Sequence, residues 1–231
     1  KFNPSLKIKP EERAKKVEEI EAQIKNALDK VSDATHDLTI RKFFGVINAT
    51  LRTNFYQTNA QGLFKGYVSF KFDCKKVPDL PLPLPYAEIF VYSKDVEGVH
   101  LRGGRVARGG LRWSDRHEDF RVEVLGLVKA QMTKNAVIVP VGSKGGFVVK
   151  KDVAQLSRDE FLQEGIKCYK TFLRGLLDIT DNVIDGKIIH PQNVIMYDAA
   201  DPYLVVAADK GTATFSDIAN SISAEYNFWL G

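Results

Sequence analysis

Between residues 10 and 31 the apolar positions Val17, Ile20, Ile24, Leu28 and Val31 recur three and four residues apart, with Glu and Lys on the other faces. That spacing predicts an amphipathic helix. A second helix, capped by Thr35 or Asp37, carries the stripe Ile40, Phe44, Ile47 and Leu51. After the turn-like stretch 59–62 the period changes to two: Val68, Phe70 and Phe72 alternate with Ser69 and Lys71, as in a half-buried strand. Residues 77–85 repeat proline, which lacks a backbone donor, so they read as an extended connector. Strands are predicted at 87–92 and 98–101, then a helix through Phe120, Val124, Leu127, Val128 and Met132 ending near Lys134. A β-branched strand at 136–141 follows, broken by Gly142, Gly145 and Gly146 and resumed at 147–149. Phe161, Ile166, Tyr169, Leu173, Leu176 and Leu177 mark another helix, followed by strands at 194–197 and 203–208 and a last helix with Ile218, Ile222 and Tyr226. Strands alternating with helices predict an α/β fold: a mixed, mostly buried sheet flanked by helices, with an N-terminal helical arm. Residues 1–58 read as the helical segment and residues 59–231 as the α/β domain.

Composition narrows the class. The 231 residues are 44% hydrophobic and 27% charged, a globular balance that excludes disorder and low complexity. Their apolar runs fall well short of the roughly 20 residues that span a bilayer, so no membrane partner is expected. Cys74 and Cys168 lie far apart with no C-x-x-C, and no charged-then-apolar leader is seen, which fits a reducing, cytoplasmic setting. The chain begins at Lys1 and stops at Gly231, and it is expected to be a fragment of a longer protein.

The formal net charge of +4 is unevenly distributed. Residues 99–151 hold eleven Arg and Lys against four acids, which leaves that segment at +7 and the remainder at −3. These cations are interleaved with glycines and Val/Ile runs, so they are mounted on folded backbone and point to an anionic ligand. Nucleic acid is not the expected partner, because no aromatic and basic stacking platform accompanies them. The four histidines, His36, His100, His117 and His190, have no metal-ligand spacing, so no metal is expected.

Three clusters could carry chemistry. In the first, Arg108-Gly109-Gly110-Leu-Arg112, the paired glycines let backbone approach a ligand and the arginines can grip a carboxylate or phosphate; a tight turn with solvated arginines is the plain alternative. The second, Gly142-Ser-Lys144-Gly-Gly146, is not a P-loop, since the glycines follow the lysine and a strand comes next, and the chain has no G-x-G-x-x-G. Lys144 can serve as a general base if desolvated near another cation such as Lys134; otherwise it is a surface lysine in a turn. Third, Asp209 in Asp-Lys-Gly-Thr212 is either a helix cap or a proton shuttle.

Taken in order, Arg108-Gly-Gly-Leu-Arg112, Gln131-Met-Thr-Lys134-Asn-Ala-Val, Pro140-Val-Gly-Ser-Lys144-Gly-Gly146 and Asp209-Lys-Gly-Thr212 resemble the glutamate-binding half of glutamate dehydrogenases. More narrowly, residues 107–115, 124–131 and 201–211 are similar to the long-chain, NAD-specific class found in bacteria. The resemblance runs from about Leu51 onward. It implies that Lys144 activates the water that attacks the imine, that Asp209 exchanges protons with the substrate amine, and that Lys134 with Gln131 holds the α-carboxylate. Arg108 stands where the family usually has a lysine gripping a substrate carboxylate, and the 140–144 loop is one residue shorter than in compact relatives. The implied reaction is oxidative deamination of L-glutamate to 2-oxoglutarate and ammonium. NAD is the implied cofactor, bound mainly by a nucleotide-binding domain absent from this chain, so the chain alone is expected to be inactive. A homo-oligomer is also implied. Two alternatives stand beside it: a related dehydrogenase of Leu, Phe or Val, which the cations around Arg108 disfavour, and a non-catalytic anion-binding or oligomerisation module.

Overall fold

The computed structural model describes residues 1–134, 139–152 and 156–230, with only the backbone of Lys134. Its centre is a seven-stranded mixed sheet in the order β1-β2-β3-β4-β6-β5-β9, formed by β1 (Thr50–Thr53), β2 (Tyr67–Phe72), β3 (Ala87–Ser93), β4 (Val96–Arg102), β5 (Ala107–Trp113), β6 (Val141–Val149) and β9 (Val205–Ala208). Pairing is antiparallel from β1 through β6 and parallel from β6 through β5 to β9. A separate hairpin pairs β7 (Asn182–Ile184) with β8 (Lys187–Ile189).

One face of the sheet carries α4 (Arg158–Leu177) and α5 (Ser216–Glu225), whose Phe172, Leu173, Leu176 and Ile222 close a core with Val91, Leu111, Phe147 and Val149. The sequence of α4 explains its position: Ser157 and Glu160 form a capping box at its start, and its buried stripe carries Cys168, Tyr169, Phe172 and Leu176. Close approach to the sheet is allowed by glycine, since a methyl at Gly98 would lie 2.8 Å from the Phe172 ring. On the opposite face α3 (Phe120–Lys134) packs over β4 and β6 through Phe120, Val124, Leu125 and Val128.

At the β1 edge lie α1 (Pro10–Leu28) and α2 (Ala34–Ala49). Asp33 caps α2, accepting from His36 N at 2.7 Å, where the sequence had suggested Thr35 or Asp37. The sheet also begins within the stretch expected to be helical, since α2 stops at Ala49 and Leu51 belongs to β1.

Three further expectations are corrected. Residues 141–149 form one continuous strand: the glycines do not break it, because Gly142 faces Gln131, Gly145 faces Leu111 and Gly146 faces Val124, each too tightly for a side chain. The part of that expected strand at 136–138 lies outside the described residues. The Arg108–Arg112 cluster is not a turn but the inner part of β5. Residues 194–197 form no strand; Tyr197 N donates to Leu51 O at 3.1 Å, and the flanking chain is held by side chains. The connector at 77–85 is irregular, as its prolines require.

Candidate active site

Strand β5 runs between β6 and β9, with Arg108 in register with Gly142 and Val205, and Leu111 with Gly145 and Ala208. Alternation along a strand then sorts its side chains. Leu111 and Trp113 enter the core beneath α4. Arg108, Gly110 and Arg112 take the other face, as does Lys144 of β6, which shares the parity of Val148 in the cluster under α3. Because α3 covers β4 and β6, this polar row forms the margin of its face, and Asp209 joins it one residue past the end of β9.

Lys144 and Asp209 form an ion pair there, with Nζ donating to Oδ2 at 2.5 Å. Their side chains are 18% and 14% exposed, accessible to a small ligand yet largely shielded from water. The other carboxylate oxygen, Oδ1, accepts from Lys210 N at 2.7 Å and from Arg112 Nη2 at 3.3 Å. Asp209 N donates to Thr212 Oγ1 at 3.0 Å, and that hydroxyl donates to Leu111 O at 2.6 Å, tying the turn to β5. Burial works to raise the Asp209 pKa, but hydrogen bonds from Lys144 and Lys210 N and the charges of Lys144 and Arg112 outweigh it and hold the carboxyl below the ordinary range.

Of the remaining candidates, Gly110 is the one placed against this pair among the described residues. A methyl at Gly110 would lie 2.9 Å from Asp209 Cβ and 3.1 Å from its Oδ2, so Gly110 floors the site. Gly109 serves the strand pairing, since a Cβ there would fall 1.5 Å from Ser143 O. Arg108 is exposed, and its guanidinium has no hydrogen bond or ion pair among the described residues. Gln131 projects from α3 over Gly142, with its buried Oε1 unpartnered among the described residues. The side chain of Lys134 lies outside the described residues.

Arg112 was expected to grip a ligand, but it is already engaged: Nη1 donates to Glu123 Oε1 at 2.7 Å, whose Oε2 accepts from Ser114 Oγ at 2.7 Å. Glu123 and Ser114 escaped the sequence reading. The available signal was an acid in the first turn of a helix that follows an arginine-bearing strand.

Among the described residues no cluster of three or more His, Cys, Asp or Glu is arranged for a metal, and no helix is long and apolar enough to cross a membrane. Both cysteines are buried and unbridged. A cavity of 640 Å³ elsewhere is lined by Gln57, Lys65, Asp178, His190 and Tyr226. Its acid, Asp178, is saturated by Lys65, Asn54 and Tyr226, which marks a structural cluster. Nor do the described residues fit a dinucleotide. The glycine-rich stretch around Lys144 runs on as strand β6 to Val149, and the next helix, α4, begins only at Arg158, so the lysine and its glycines do not open onto a helix N-terminus as a phosphate loop does.

The sequence profile of the family described as "Bacterial NAD-glutamate dehydrogenase, catalytic domain" matches residues 23–231. Among curated proteins, the NAD-specific glutamate dehydrogenase of Pseudomonas aeruginosa is 60% identical over 231 residues, which is 100% of this chain and 14% of that protein. Its counterpart in Halomonas elongata is 57% identical over 98% of this chain and 14% of its own length. The Mycobacterium tuberculosis protein of the same name is 52% identical over 88% of this chain and 13% of its own length. The chain thus spans about one seventh of the length of these relatives.

Proposed function

This chain belongs to the catalytic-domain family of bacterial NAD-glutamate dehydrogenases, and from that premise we propose that it binds L-glutamate and carries out the proton transfers of its oxidative deamination to 2-oxoglutarate and ammonium. The observation that carries this reading is the shielded Lys144–Asp209 pair, 2.5 Å apart on a glycine floor, with Arg108, unpaired among the described residues, on the same face of β5. NAD is the hydride acceptor of the overall reaction; the described residues offer it no cradle, so they are assigned only proton and carboxylate work.

Hydrolysis of the imine needs one group to take a proton from the attacking water and another to give one to the departing amine. Lys144 and Asp209 are in contact and can divide those roles. With its proton passed to Asp209, Lys144 as free amine takes a proton from water as the oxygen bonds to the imine carbon. Asp209 then protonates the nitrogen; as the C–N bond breaks the carbinolamine oxygen forms the carbonyl of 2-oxoglutarate, and its hydroxyl proton passes to the Asp209 carboxylate and on to the departing ammonia, which leaves as ammonium. The lysine ammonium formed in the first step stabilises the carbinolamine oxygen. Arg108 takes one substrate carboxylate through two parallel hydrogen bonds, and Gln131 with Lys134 takes the other. Assembly as a homo-oligomer in the cytoplasm, with glutamate and 2-oxoglutarate as small-molecule partners, completes the proposal.

The test is glutamate-dependent NADH formation by a full-length dehydrogenase carrying this chain, with leucine as the control substrate. Lys144→Ala is expected to lower kcat/KM by about 10²- to 10⁴-fold. The 231-residue chain alone is expected to form no NADH. An unaffected variant, or a full-length protein that ignores glutamate, would overturn the reading.

A further inference from the structure

Arg112 and Arg108 share a strand and a face, but their surroundings differ. Arg108 is exposed and unpaired among the described residues, whereas both terminal nitrogens of Arg112 are occupied, by Glu123 and by Asp209, and only its buried Nε is without a partner among the described residues. Both oxygens of Glu123 are also occupied, by Arg112 and Ser114. We propose that Arg112 and Glu123 are positioning residues that hold the Asp209 carboxylate in line with Lys144 and lock it to α3, and that neither binds substrate. This inference rests on the deamination reading above.

Asp209 sits past the end of a strand, at a turn that Gly211 makes with φ +81°, and its local backbone supplies one donor to its carboxylate, Lys210 N. A carboxylate so placed can rotate. Arg112 removes that freedom, reaching Oδ1 from β5 while Lys144 takes Oδ2 from β6. Through Glu123 the same guanidinium is fixed to the first turn of α3, the helix that carries Gln131 and Lys134 at its other end. One chain of charge-assisted hydrogen bonds therefore joins the proton-transfer pair to the first turn of α3, and the helix itself carries that link to the proposed carboxylate-binding end.

The charges around Asp209 come from every neighbouring element: Lys144 on β6, Arg112 and the more distant Arg108 on β5, and Glu123 on α3. Beyond them Arg116 is paired with Asp119, and Lys210 lies 3.9 Å from Asp115. Two cations and two carboxylates thus meet in the inner group, and Glu123 draws on the same arginine that steadies Asp209. Removing Arg112 takes a cation from Asp209; removing the charge of Glu123 releases that cation toward it. The two changes must act in opposite directions.

The experiment is the pH dependence of kcat/KM for glutamate in the full-length dehydrogenase carrying Arg112→Gln, Arg112→Lys or Glu123→Gln, beside wild type and Lys144→Ala. Arg112→Gln is expected to move the acid side of the profile to higher pH and to cost about 10- to 100-fold in kcat/KM, mostly in kcat. Arg112→Lys should restore the profile toward wild type, and the isosteric Glu123→Gln should move the acid side to lower pH. Thermal melts of each variant separate misfolding from mistuning. A rise in KM for Arg112→Gln with an unmoved profile would make Arg112 a substrate ligand and overturn the proposal, as would shifts of the same sign in both variants. If wild type itself fails on glutamate, the deamination reading falls; if wild type turns over and no variant moves the profile, only the positioning role falls.

Discussion

His100 lies on β4 in register with Gly145, the residue after Lys144, and neither of its ring nitrogens has a partner among the described residues. Complete burial, with the charge of Arg102 nearby, pushes its pKa down to about 3. The unfolded chain takes up this proton below about pH 6.5 and the folded one does not, so stability falls as pH drops from 6.5 toward 3, by up to about 4–5 kcal/mol. His100→Leu should keep or raise the melting temperature at pH 7.5, since two orphaned buried nitrogens disappear. It should also lose about 2 kcal/mol less than wild type between pH 7.5 and pH 5 in urea melts; parallel losses in the two proteins would show that His100 does not govern this window. At this scale the sequence was informative where a residue type has few uses. Lys144 and Asp209 stood out by chemistry and are in contact. The ion pairs of Arg112 were not legible, because its two carboxylate partners lie 11 and 97 residues away along the chain.

Adjacent glycines of β5 do different work, and a methyl separates them. Gly109→Ala would drive Cβ to 1.5 Å from the backbone oxygen of Ser143, so β5 and β6 would have to part. The expected cost is about 3 kcal/mol or more of stability, comparable with overpacking a core. Gly110→Ala meets Ala208 O and Asp209 Cβ, both at 2.9 Å, a milder clash that falls partly on the carboxylate's own residue, and should cost at least about tenfold in kcat/KM with a smaller stability loss. Urea melts and glutamate turnover on the two variants check the assignment, and equal effects of both on both readouts would refute it. Elements built on apolar period were legible: α1, α4, β2, β3 and β4 lie where the spacing predicts them. Strand β5 was not, because its inner positions are mostly arginine and glycine, which show no apolar period, and Gly109 is there to admit the neighbouring strand. The β7–β8 hairpin was missed although Asp185-Gly186 carries the turn signal, with φ +51° and +72°.

Over the whole molecule, a belt of buried charge fastens the sheet to the segment that leads into β9. Arg52 of β1 donates to Asp181 at 2.9 Å and to Asp198 at 2.6 Å, Lys71 of β2 to Asp198 at 2.6 Å and Asp201 at 2.7 Å, and Arg102 of β4 also pairs with Asp201. Burial acts to raise the Asp201 pKa, but Arg102 and Lys71 prevail and hold it at about 2. Asp198→Asn would leave two buried cations short of a carboxylate, at an expected cost of about 3–5 kcal/mol in a denaturant melt; a loss under about 1 kcal/mol would mean that the belt relaxes around the change. By itself the sequence determined the α/β class, the longer helices and the irregular proline connector, and it singled out Lys144, Asp209 and Arg108 as candidates by their chemistry. Those follow from local period and from side-chain chemistry, which a linear chain displays. Only the tertiary structure decided that the glycine-rich stretches are the two adjacent parallel strands β5 and β6, that Arg108 is unpaired among the described residues while Arg112 is committed, and that Asp209 meets Lys144 across 65 residues of chain. Strand order and charge pairing are set by contacts between distant segments, whose free energy depends on burial and mutual distance, and neither quantity exists until the chain is folded.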